Sequence, residues 1–417
     1  MRYIVDWHIH SKYSRACSSQ LELPIIDEWC QRKGIDIVAT GDWTHPGWFA
    51  HIKENLEEAE QGIYTLKGKK TTRFMLVQEL SQIYKKNDRS RRIHNLVFSP
   101  SIETCEKVIA ELDRRGFNLK SDGRPILGID SEELYKVLKD IDEKIIIIPA
   151  HAWTPWYAIF GSKSGFDSIE ECFGEMSKYI YAIETGLSSD PLMNWQLSAL
   201  DDVVLVSNSD AHSPRNLGRE ANVFDLESPS YDEFVRILRE KDKSKFLYTI
   251  EFHPEEGKYH YDGCADCKFV CDPKESIKQG LRCPHCKKKL TLGVHHRVEE
   301  LSDRNASNVV GNKIPYKSIV PLAELIAESY GVKSPTSKRV ETEYMHLTDT
   351  IASEFDLLLD TPIEEINKVA NNENIAEAIR RVRKGQVEVS PGYDGIFGTV
   401  KVFGEKGPRK AEQKSLI

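Results

Sequence analysis

Hydrophobic and polar residues follow two different periods along the first 250 residues of the chain. Short runs rich in β-branched and aromatic residues, which predict strands, occupy residues 3–7, 36–40, 73–77, 91–98, 144–150, 180–184 and 203–207. Apolar residues recur at helical spacing over residues 23–33, 102–115, 131–141 and 231–241. Strands and helices that alternate in this way predict βα units around a parallel sheet, and the apolar run at residues 145–148 is typical of a strand buried on both faces. We therefore expect an α/β fold, an incomplete or distorted barrel, over residues 1–250.

The pattern changes after the predicted barrel. Residues 251–300 are polar and rich in Lys, Cys and His. They are too few to form a stable core without a disulfide or a bound metal ion. From residue 314 the pattern predicts helices, including residues 319–330 and 362–384, with Thr361 as the N-cap before Pro362. We therefore divide the chain into a barrel (1–250), a metal-binding module (251–300) and a mainly helical C-terminal domain with a basic tail (301–417).

Composition places the chain among soluble globular proteins of two or three domains. The chain has 417 residues, of which 40% are hydrophobic and 29% charged. No run approaches the ~18 apolar residues of a membrane-spanning helix, so we expect a cytoplasmic protein with no membrane partner. The net charge of −8 argues against an overall basic coat for nucleic acid, but it leaves room for local basic surfaces such as residues 85–92.

Side chains that commonly bind metal ions follow the predicted strands. They are His8, His10, Asp42, Glu79, His94, His151, Asp210 and His212. Because the ends of successive parallel strands meet at one rim of a barrel, we expect these side chains to gather there. Two histidines two residues apart on an extended segment point to the same side, and a carboxylate such as Glu79 can bridge two ions. Paired ions bind phosphate oxygens and activate water, so the sequence predicts phosphoester hydrolysis.

Five of the nine cysteines lie between Cys264 and Cys286. Cys264 and Cys267 form one Cys-x2-Cys pair, Cys283 and Cys286 form a second, and 15 residues separate the pairs. This spacing predicts one structural zinc ion held by four thiolates. Cys271 competes for one ligand position, and His285 is a weaker competitor.

The candidate ligands lie in segments that resemble the metal-binding motifs of the PHP (polymerase and histidinol phosphatase) superfamily. The segments are Asp6-Trp7-His8-Ile9-His10-Ser11, Thr40-Gly41-Asp42, Glu79, His94, Pro149-Ala150-His151-Ala152-Trp153 and Asn208-Ser209-Asp210-Ala211-His212. The resemblance implies a distorted (β/α)7 barrel with two or three divalent ions, Zn, Mn or Mg. Many members carry Thr-Asp-His where this chain has Thr40-Gly41-Asp42.

The resemblance also implies a role for each ligand. His8, His10, Glu79 and Asp210 would bind one ion and form the catalytic set. Glu79, His94 and His151 would bind a second ion. Asp42 and His212 would hold a third ion.

The order of barrel, cysteine module and helical part, together with residues 40–49 and 391–395, resembles the endonuclease Q family over nearly the full chain. That resemblance implies a DNA repair endonuclease that acts on double- or single-stranded DNA. It would cut 5′ of deaminated bases (uracil, hypoxanthine, xanthine) and of abasic sites, leaving a 3′-hydroxyl and a 5′-phosphate. The metal-binding residues by themselves imply only phosphoester hydrolysis.

Several residues near the predicted ligands could contact DNA. Trp43, Trp48 and Trp153, with Trp156 in the same turn-like segment as Trp153, could stack on an extruded base, although core packing is the alternative for each of them. Backbone groups of residues 41–47 could read the base. We expect three basic residues to make further DNA contacts: Arg15, Lys85 and Arg91.

Two other functions compete with this hypothesis. One is a PHP phosphatase that acts on a small phosphomonoester, with the cysteine module and the helical part serving assembly. The other is a non-catalytic protein that binds DNA or a sliding clamp and whose metal ions are structural. The final segment, residues 413–417, resembles the start of a sliding-clamp peptide but lacks the aromatic pair that follows in such peptides.

Overall fold

The computed structural model describes residues 1–69, 71–306, 313–404 and 407–408, so the clamp-like segment at residues 413–417 lies outside the described residues. The fold is mixed α/β with a helical C-terminal region, as predicted. The strands are β1 Arg2–Asp6, β2 Ile37–Ala39, β3 Leu56–Glu60, β4 Ile63–Leu66, β5 Arg73–Met75, β6 Val77–Lys86, β7 Arg89–Phe98, β8 Ile126–Leu127, β9 Ile146–Pro149, β10 Ala182–Glu184, β11 Val204–Val206, β12 Ala221–Asp225, β13 Phe246–Glu251, β14 Asp262–Cys264, β15 Phe269–Cys271, β16 Tyr316–Ser318, β17 Glu388–Ser390 and β18 Thr399–Lys401.

The helices are distributed over the whole chain. They are α1 Leu23–Lys33, α2 Pro46–Asn55, α3 Ile102–Arg114, α4 Ser131–Ile141, α5 Ile169–Phe173, α6 Pro191–Asn194, α7 Tyr231–Glu240, α8 Pro273–Lys278, α9 Val294–Leu301, α10 Leu322–Tyr330, α11 Lys338–Thr350, α12 Glu354–Leu359, α13 Ile363–Val369 and α14 Glu373–Arg383. Short 3-10 turns include Gly174–Tyr179, Ser198–Leu200, Pro214–Asn216, Pro254–Glu256 and Ala265–Cys267. Side chains of Ser101, Asp130 and Ser230 accept hydrogen bonds from the first turns of α3, α4 and α7, which fixes where these helices begin.

The barrel is built from three sheets and is only partly parallel. The largest sheet has the order β16-β13-β12-β1-β2-β5-β4-β3, a second has β8-β6-β7-β9, and β10 pairs with β11. Strands β1, β2 and β5 run parallel, as do β10 and β11. In contrast, β6–β7 and β7–β9 are antiparallel, so the predicted all-parallel sheet is wrong on this side of the barrel.

A tight hairpin explains the antiparallel pairing. Only Asn87 and Asp88 connect β6 to β7, with φ angles of 52° and 56°. Two consecutive residues with positive φ form the type of turn that reverses a strand directly, and Asn and Asp tolerate this backbone best after glycine. As a result, Glu79 and His94 lie within strands of one hairpin rather than after successive parallel strands.

The C-terminal region differs from its prediction at two places. The helix predicted over residues 362–384 is two helices, α13 and α14, because the side chain of Asn372 caps a new helix by accepting from the backbone N–H of Asn374. Thr361 is not the N-cap of α13, since Pro362 occupies that position and the Thr361 hydroxyl donates to the carbonyl of Asp356. Strand β16 leaves this region and joins the barrel sheet beside β13.

A buried ion pair joins the barrel to the helical region. Nζ of Lys33 at the end of α1 lies 2.8 Å from Oε2 of Glu354 at the start of α12, and both side chains are buried. The Tyr344 hydroxyl and the backbone N–H of Leu322 also donate to the Glu354 carboxylate. In the described part of the chain, no helix combines the length and the apolar composition needed to cross a bilayer.

Candidate active site and metal centres

Two compact groups of ligand-type side chains lie at one end of the barrel. One group is His8, His10 and Asp210, and the other is Glu79, His94 and His151. Within each group the ligand atoms lie within 4.8 Å of one another. The structure thus brings together six of the eight predicted ligands in two sets, each of which could hold a metal ion.

Glu79 stands between the two groups. Its Oε1 lies 2.6 Å from Nδ1 of His94 and 2.9 Å from Nε2 of His151, both in its own group. Oε1 also lies 3.6 Å from Nε2 of His8, and Oε2 lies 3.5 Å from Nε2 of His10. One carboxylate therefore faces four imidazole nitrogens from both groups, which is the arrangement that a bridging ligand requires.

A partner holds the other ring nitrogen of each of these imidazoles. The partners are Glu184 for Nδ1 of His8 (3.0 Å), Asp42 for Nδ1 of His10 (3.1 Å), Ser81 for Nε2 of His94 (3.1 Å) and Thr154 for Nδ1 of His151 (3.1 Å). A carboxylate can only accept, so His8 and His10 donate from Nδ1, and the Nε2 atom of each ring faces the centre of the site, where it can bind an ion once the ring is neutral. Such partners fix the orientation of metal-binding histidines.

The histidine rings fit metal ions at this position. Nε2 of His8 is buried and has no hydrogen-bond partner among the described residues. It lies 3.5 Å from Oδ1 of Asp210 and 3.6 Å from Oε1 of Glu79. An unpaired nitrogen buried among carboxylates is costly unless a cation lies beside it, so the donor set suits a divalent ion.

The buried charges at this site influence one another strongly. Burial by itself lowers the pKa of His8, but the carboxylates of Glu184, Asp210 and Glu79 outweigh it and raise this pKa well above its usual value. Burial raises the pKa of Glu79, yet His94, Arg124 and His8 together lower it well below its usual value. Burial lowers the pKa of His94 to about 4 against the opposing effect of Glu79. The Glu79 carboxylate thus remains ionised and attracts cations.

Asp42 and His212 lie next to the two groups, and neither belongs to a described set that could share one ion. Oδ2 of Asp42 accepts from the backbone N–H and the hydroxyl of Ser11 and from the hydroxyl of Ser14, while Oδ1 faces His10. Nδ1 of His212 lies 2.8 Å from the carbonyl of Asp210, and its ring lies 4.6 Å from that of His10. In this geometry Asp42 contacts His10 and two serines, and its role as a ligand of a third ion stays a prediction.

Backbone strain marks the turns that carry the site. Asp42, His151 and Asp210 have φ angles of 44°, 29° and 47°, in the left-handed region that non-glycine residues seldom adopt. At Gly186, which has a φ of 64°, an added Cβ would lie 2.6 Å from Cβ of His151. Strain of this kind persists where the surrounding structure enforces it, and it is concentrated at functional sites.

Two residues of the site were missed by the sequence analysis. Nη1 of Arg124 lies 2.9 Å from Oε2 of Glu79, and this arginine is largely buried. Arg124 follows no predicted strand and belongs to no motif, so only the fold could reveal it. Glu184, which holds His8 and accepts from the backbone N–H of His151, ends a predicted strand. The rule that polar residues at strand ends meet at one rim could have identified Glu184.

The four predicted cysteines form a third compact group. The Sγ atoms of Cys264, Cys267, Cys283 and Cys286 lie within 4.8 Å of one another. Cys271 pairs with Asp262 across the hairpin of β14 and β15 and is not part of this group. The four-cysteine cluster is therefore confirmed, and the proposed competition from Cys271 is not supported.

Comparison with known proteins places this arrangement in a family. Over 100% of this chain and 98% of the other, the fold matches the crystal structure of the lesion-specific endonuclease PfuEndoQ from Pyrococcus furiosus, with a TM-score of 0.85 and 30% identity. The chain belongs to the endonuclease Q family of the PHP superfamily. It also matches the structure of an endonuclease Q complexed with a 27-mer duplex substrate that has an abasic lesion at the active site, with a TM-score of 0.83, 30% identity and 100% coverage of both chains.

Sequence comparisons with this endonuclease Q-like chain agree. A family model described as PHP-associated matches residues 203–242, and a model of the MJ0043 C-terminal domain matches residues 321–386. Uncharacterized protein MJ0043 of Methanocaldococcus jannaschii is 29% identical over 334 residues. The match covers 75% of this chain but only 41% of that relative, so the chain spans about two fifths of its length.

The predicted base-stacking tryptophans of this endonuclease Q-like protein have no free face. Trp43 and Trp48 are fully buried and Trp153 is 1% exposed. The indole N–H of Trp48 donates to the carbonyls of Thr40 and Gly41, and that of Trp153 donates to Oδ1 of Asn194. All three side chains are packed in the core, so the prediction that they stack on a base is wrong in this structure.

Backbone groups of residues 41–47 are also engaged within the protein. The N–H groups of Gly41, Thr44 and His45 donate to the carbonyl of Val77, to Oε1 of Gln78 and to the carbonyl of Asp42. These hydrogen bonds engage three of the backbone N–H groups that were predicted to contact a base. These three N–H groups therefore support the fold and are not free to contact a nucleobase.

The three predicted DNA contacts differ in accessibility. Arg15 exposes 77% of its side chain, although Asp122 lies within 3.3 Å, and Lys85 is exposed near the end of the β6–β7 hairpin. Arg91 is buried, packs its guanidinium 4.1 Å from the ring centre of Phe166 and donates to the carbonyl of Gly165. Arg15 and Lys85 remain available to a DNA backbone, whereas the expectation for Arg91 is wrong because its donors serve the fold.

Proposed function

We propose that this chain is a metal-dependent endodeoxyribonuclease of DNA repair. It hydrolyses the phosphodiester 5′ of uracil, hypoxanthine, xanthine or an abasic site. The position of Glu79 between two histidine groups is the observation that carries the catalytic part of this proposal. Full-length similarity to an endonuclease Q complexed with a duplex bearing an abasic lesion supports the substrate.

Divalent ions, Zn, Mn or Mg, are the cofactors in this proposal. His8, His10 and Asp210 would hold one ion, His94 and His151 a second, and Glu79 would be shared. When bound, such a pair neutralises the charge of a phosphate and makes water acidic enough to supply a nucleophile. Asp42 would act through His10, because its oxygens are already engaged with Ser11 and Ser14.

Arg124 adds a positive charge that the protein itself supplies. Its guanidinium lies at the edge of the site, 2.9 Å from Glu79, and it retains some solvent exposure. A guanidinium offers several donors in a fixed plane, which suits a phosphate whose negative charge grows during attack. In the reaction a water oxygen bonds to phosphorus while the bond to the 3′ oxygen of the preceding nucleotide breaks. The products are a 3′-hydroxyl and a 5′-phosphate.

The cysteine module would hold a structural zinc ion. Four thiolates from two Cys-x2-Cys pairs are the ligand set of closed, tetrahedral zinc sites. Asp394 accepts from the backbone N–H of Ala265 and from the hydroxyl of Thr291, which ties the module to the segment after α14. Folding of this short module therefore depends on its metal ion.

Cleavage assays with three substrates test the proposal against its competitors. The full-length protein is incubated in Mg²⁺, Mn²⁺ or EDTA with an undamaged duplex, the same duplex carrying one deoxyuridine or abasic site, and a phosphomonoester dye. A metal-dependent nick only in the damaged duplexes supports the proposal. Turnover of the dye alone would indicate a phosphatase of small phosphomonoesters, and DNA binding without any hydrolysis would indicate a non-catalytic protein.

A further inference from the structure

Trp156 is an exposed tryptophan beside the site. It exposes 48% of its surface, and it is the only tryptophan among the exposed large apolar side chains of the described residues. It follows His151 by five residues, in the segment that also carries the buried Trp153. A large, rigid aromatic surface that is open to solvent beside the candidate metal-binding groups offers a face on which a planar ligand could stack.

Trp156 is linked to the metal-binding histidines by two short contact paths. In the first, the guanidinium of Arg92 lies 4.8 Å from the ring centre of Trp156 and 5.6 Å from that of Tyr157, whose ring lies 4.6 Å from the ring of His94. In the second, the Thr154 hydroxyl donates to the carbonyl of Trp156 and contacts Nδ1 of His151. The indole is thus held within a few side chains of both histidines of the second group.

The segment that carries Trp156 is fastened to the barrel. Its next residue, Tyr157, has a φ of 63° and accepts at its carbonyl from the backbone N–H of His94. The hydroxyl of Ser164 donates to the carbonyl of Arg92. Nε and Nη2 of Arg297 in α9 donate to the carbonyls of Phe160 and Phe166. The indole therefore stands on a pre-formed surface, which limits the entropy lost when a ligand stacks on it.

We propose that Trp156 and Arg92 form a stacking platform for a nucleobase of the DNA strand that is cut, next to the scissile phosphate. This inference rests on the proposed function, because it assigns a binding surface to that substrate. A guanidinium against one part of an indole leaves the remaining face for a base, and it adds positive charge where the phosphate backbone passes. Stacking of this kind tolerates any base, so the platform would contribute affinity and position rather than base choice.

Tryptophan fluorescence of the full-length protein tests the platform without any cleavage. The protein, with its cysteine-bound zinc retained, is titrated without added Mg²⁺ or Mn²⁺ with an oligothymidylate and with a duplex that contains an abasic site. The chain has seven tryptophans, and we expect DNA to quench mainly the emission of Trp156. Trp156→Phe should lose most of this quenching, whereas Trp195→Phe, which alters a partly buried residue packed on Tyr316, should retain it.

Affinity and reporter measurements complete the test. Trp156→Ala should weaken binding of both DNAs by about 5- to 150-fold, as expected for the loss of one base–aromatic stack. Arg92→Gln should weaken binding. It should also reduce the slope of the logarithm of the binding constant against the logarithm of the salt concentration by about 1. A 2-aminopurine next to the lesion should be quenched by the parent protein and not by Trp156→Ala. Metal content should be unchanged in all variants.

The outcomes separate this inference from the proposed function. Quenching that depends on Trp156, in a protein that cuts no DNA, would support the platform and refute the endonuclease. Normal cleavage of damaged DNA by Trp156→Ala, with unchanged affinity and an unquenched 2-aminopurine in the parent complex, would overturn the platform and leave the endonuclease intact.

Discussion

Nη1 of Arg124 lies 2.9 Å from Oε2 of Glu79, the carboxylate that faces histidines of both groups. Arg124 thus contacts the side chain that metal ions would also need. In the proposed reaction, metal ions that bind Glu79 would leave the guanidinium of Arg124 free to pair with a phosphate.

Arg124→Ala should lower the rate of cleavage far more than it lowers metal binding. Loss of one group that stabilises developing charge typically costs about 10²- to 10³-fold in kcat. Arg124→Lys should recover only part of the rate, because a lysine cannot donate from a planar fork. Single-turnover cleavage and metal analysis measure both effects.

Arg114→Ala is the matched control, since Arg114 pairs with Glu111 on the surface of α3. This variant should cut like the parent protein. Loss of bound metal in Arg124→Ala, in proportion to its loss of rate, would show that Arg124 only maintains the metal site.

Asp42→Asn should weaken metal binding without changing the number of ions bound at saturation. The Asp42 carboxylate orients His10 through Nδ1, and loss of such a partner typically costs about 10- to 100-fold in metal affinity or activity. Titration with Mn²⁺ followed by metal analysis gives affinity and stoichiometry together. A loss of one full equivalent of metal at saturation would instead identify Asp42 as a ligand of a third ion.

Cys264→Ser should remove one zinc equivalent and lower the midpoint of thermal unfolding. Structural zinc contributes on the order of 10 kcal/mol to the folding of small zinc modules, so the module should unfold first. Cys271→Ser is the matched control, because Cys271 lies outside the four-cysteine group. Equal zinc content in Cys264→Ser and the parent would contradict the assignment.

Lys33→Met should destabilise the protein strongly, because it leaves Glu354 buried without its cation. Breaking a buried pair from one side typically costs about 3–5 kcal/mol in the free energy of unfolding. Lys53→Met is the control, since Lys53 and Glu106 form an exposed pair whose loss should cost less than about 1 kcal/mol. Urea unfolding of both variants gives the comparison, and equal midpoints would show that the Lys33–Glu354 pair contributes no more than a surface pair.

The sequence predicts the fold class and the four-cysteine cluster well because both depend on local patterns. Helices α1 and α4 begin and end where the apolar spacing predicts, and the two Cys-x2-Cys pairs meet as their spacing requires. The strand direction at Glu79 and His94 was missed, because it depends on a two-residue turn whose backbone angles the hydrophobic pattern does not report.

The solvent exposure of individual side chains could not be predicted from the sequence. Trp43, Trp48 and Trp153 are near the ligands in sequence, but nearness in sequence does not tell which face of a turn a side chain occupies. Arg91 and Arg92 are adjacent on β7, and the alternation of a strand sends one into the core and the other to Trp156. Arg124 reaches Glu79 through tertiary contacts alone.

Mapping the nick on an end-labelled duplex with one deoxyuridine, using the parent protein and Glu79→Gln, tests the central claim most directly. Glutamine keeps the shape of Glu79 but removes the charge shared by both histidine groups. The account predicts a single nick by the parent, 5′ of the uracil, with a 3′-hydroxyl and a 5′-phosphate, in Mg²⁺ or Mn²⁺ but not in EDTA. Glu79→Gln should not cut and should bind fewer barrel ions than the parent. Equal cleavage of the undamaged duplex, or a nick by Glu79→Gln at the parental rate, would contradict it.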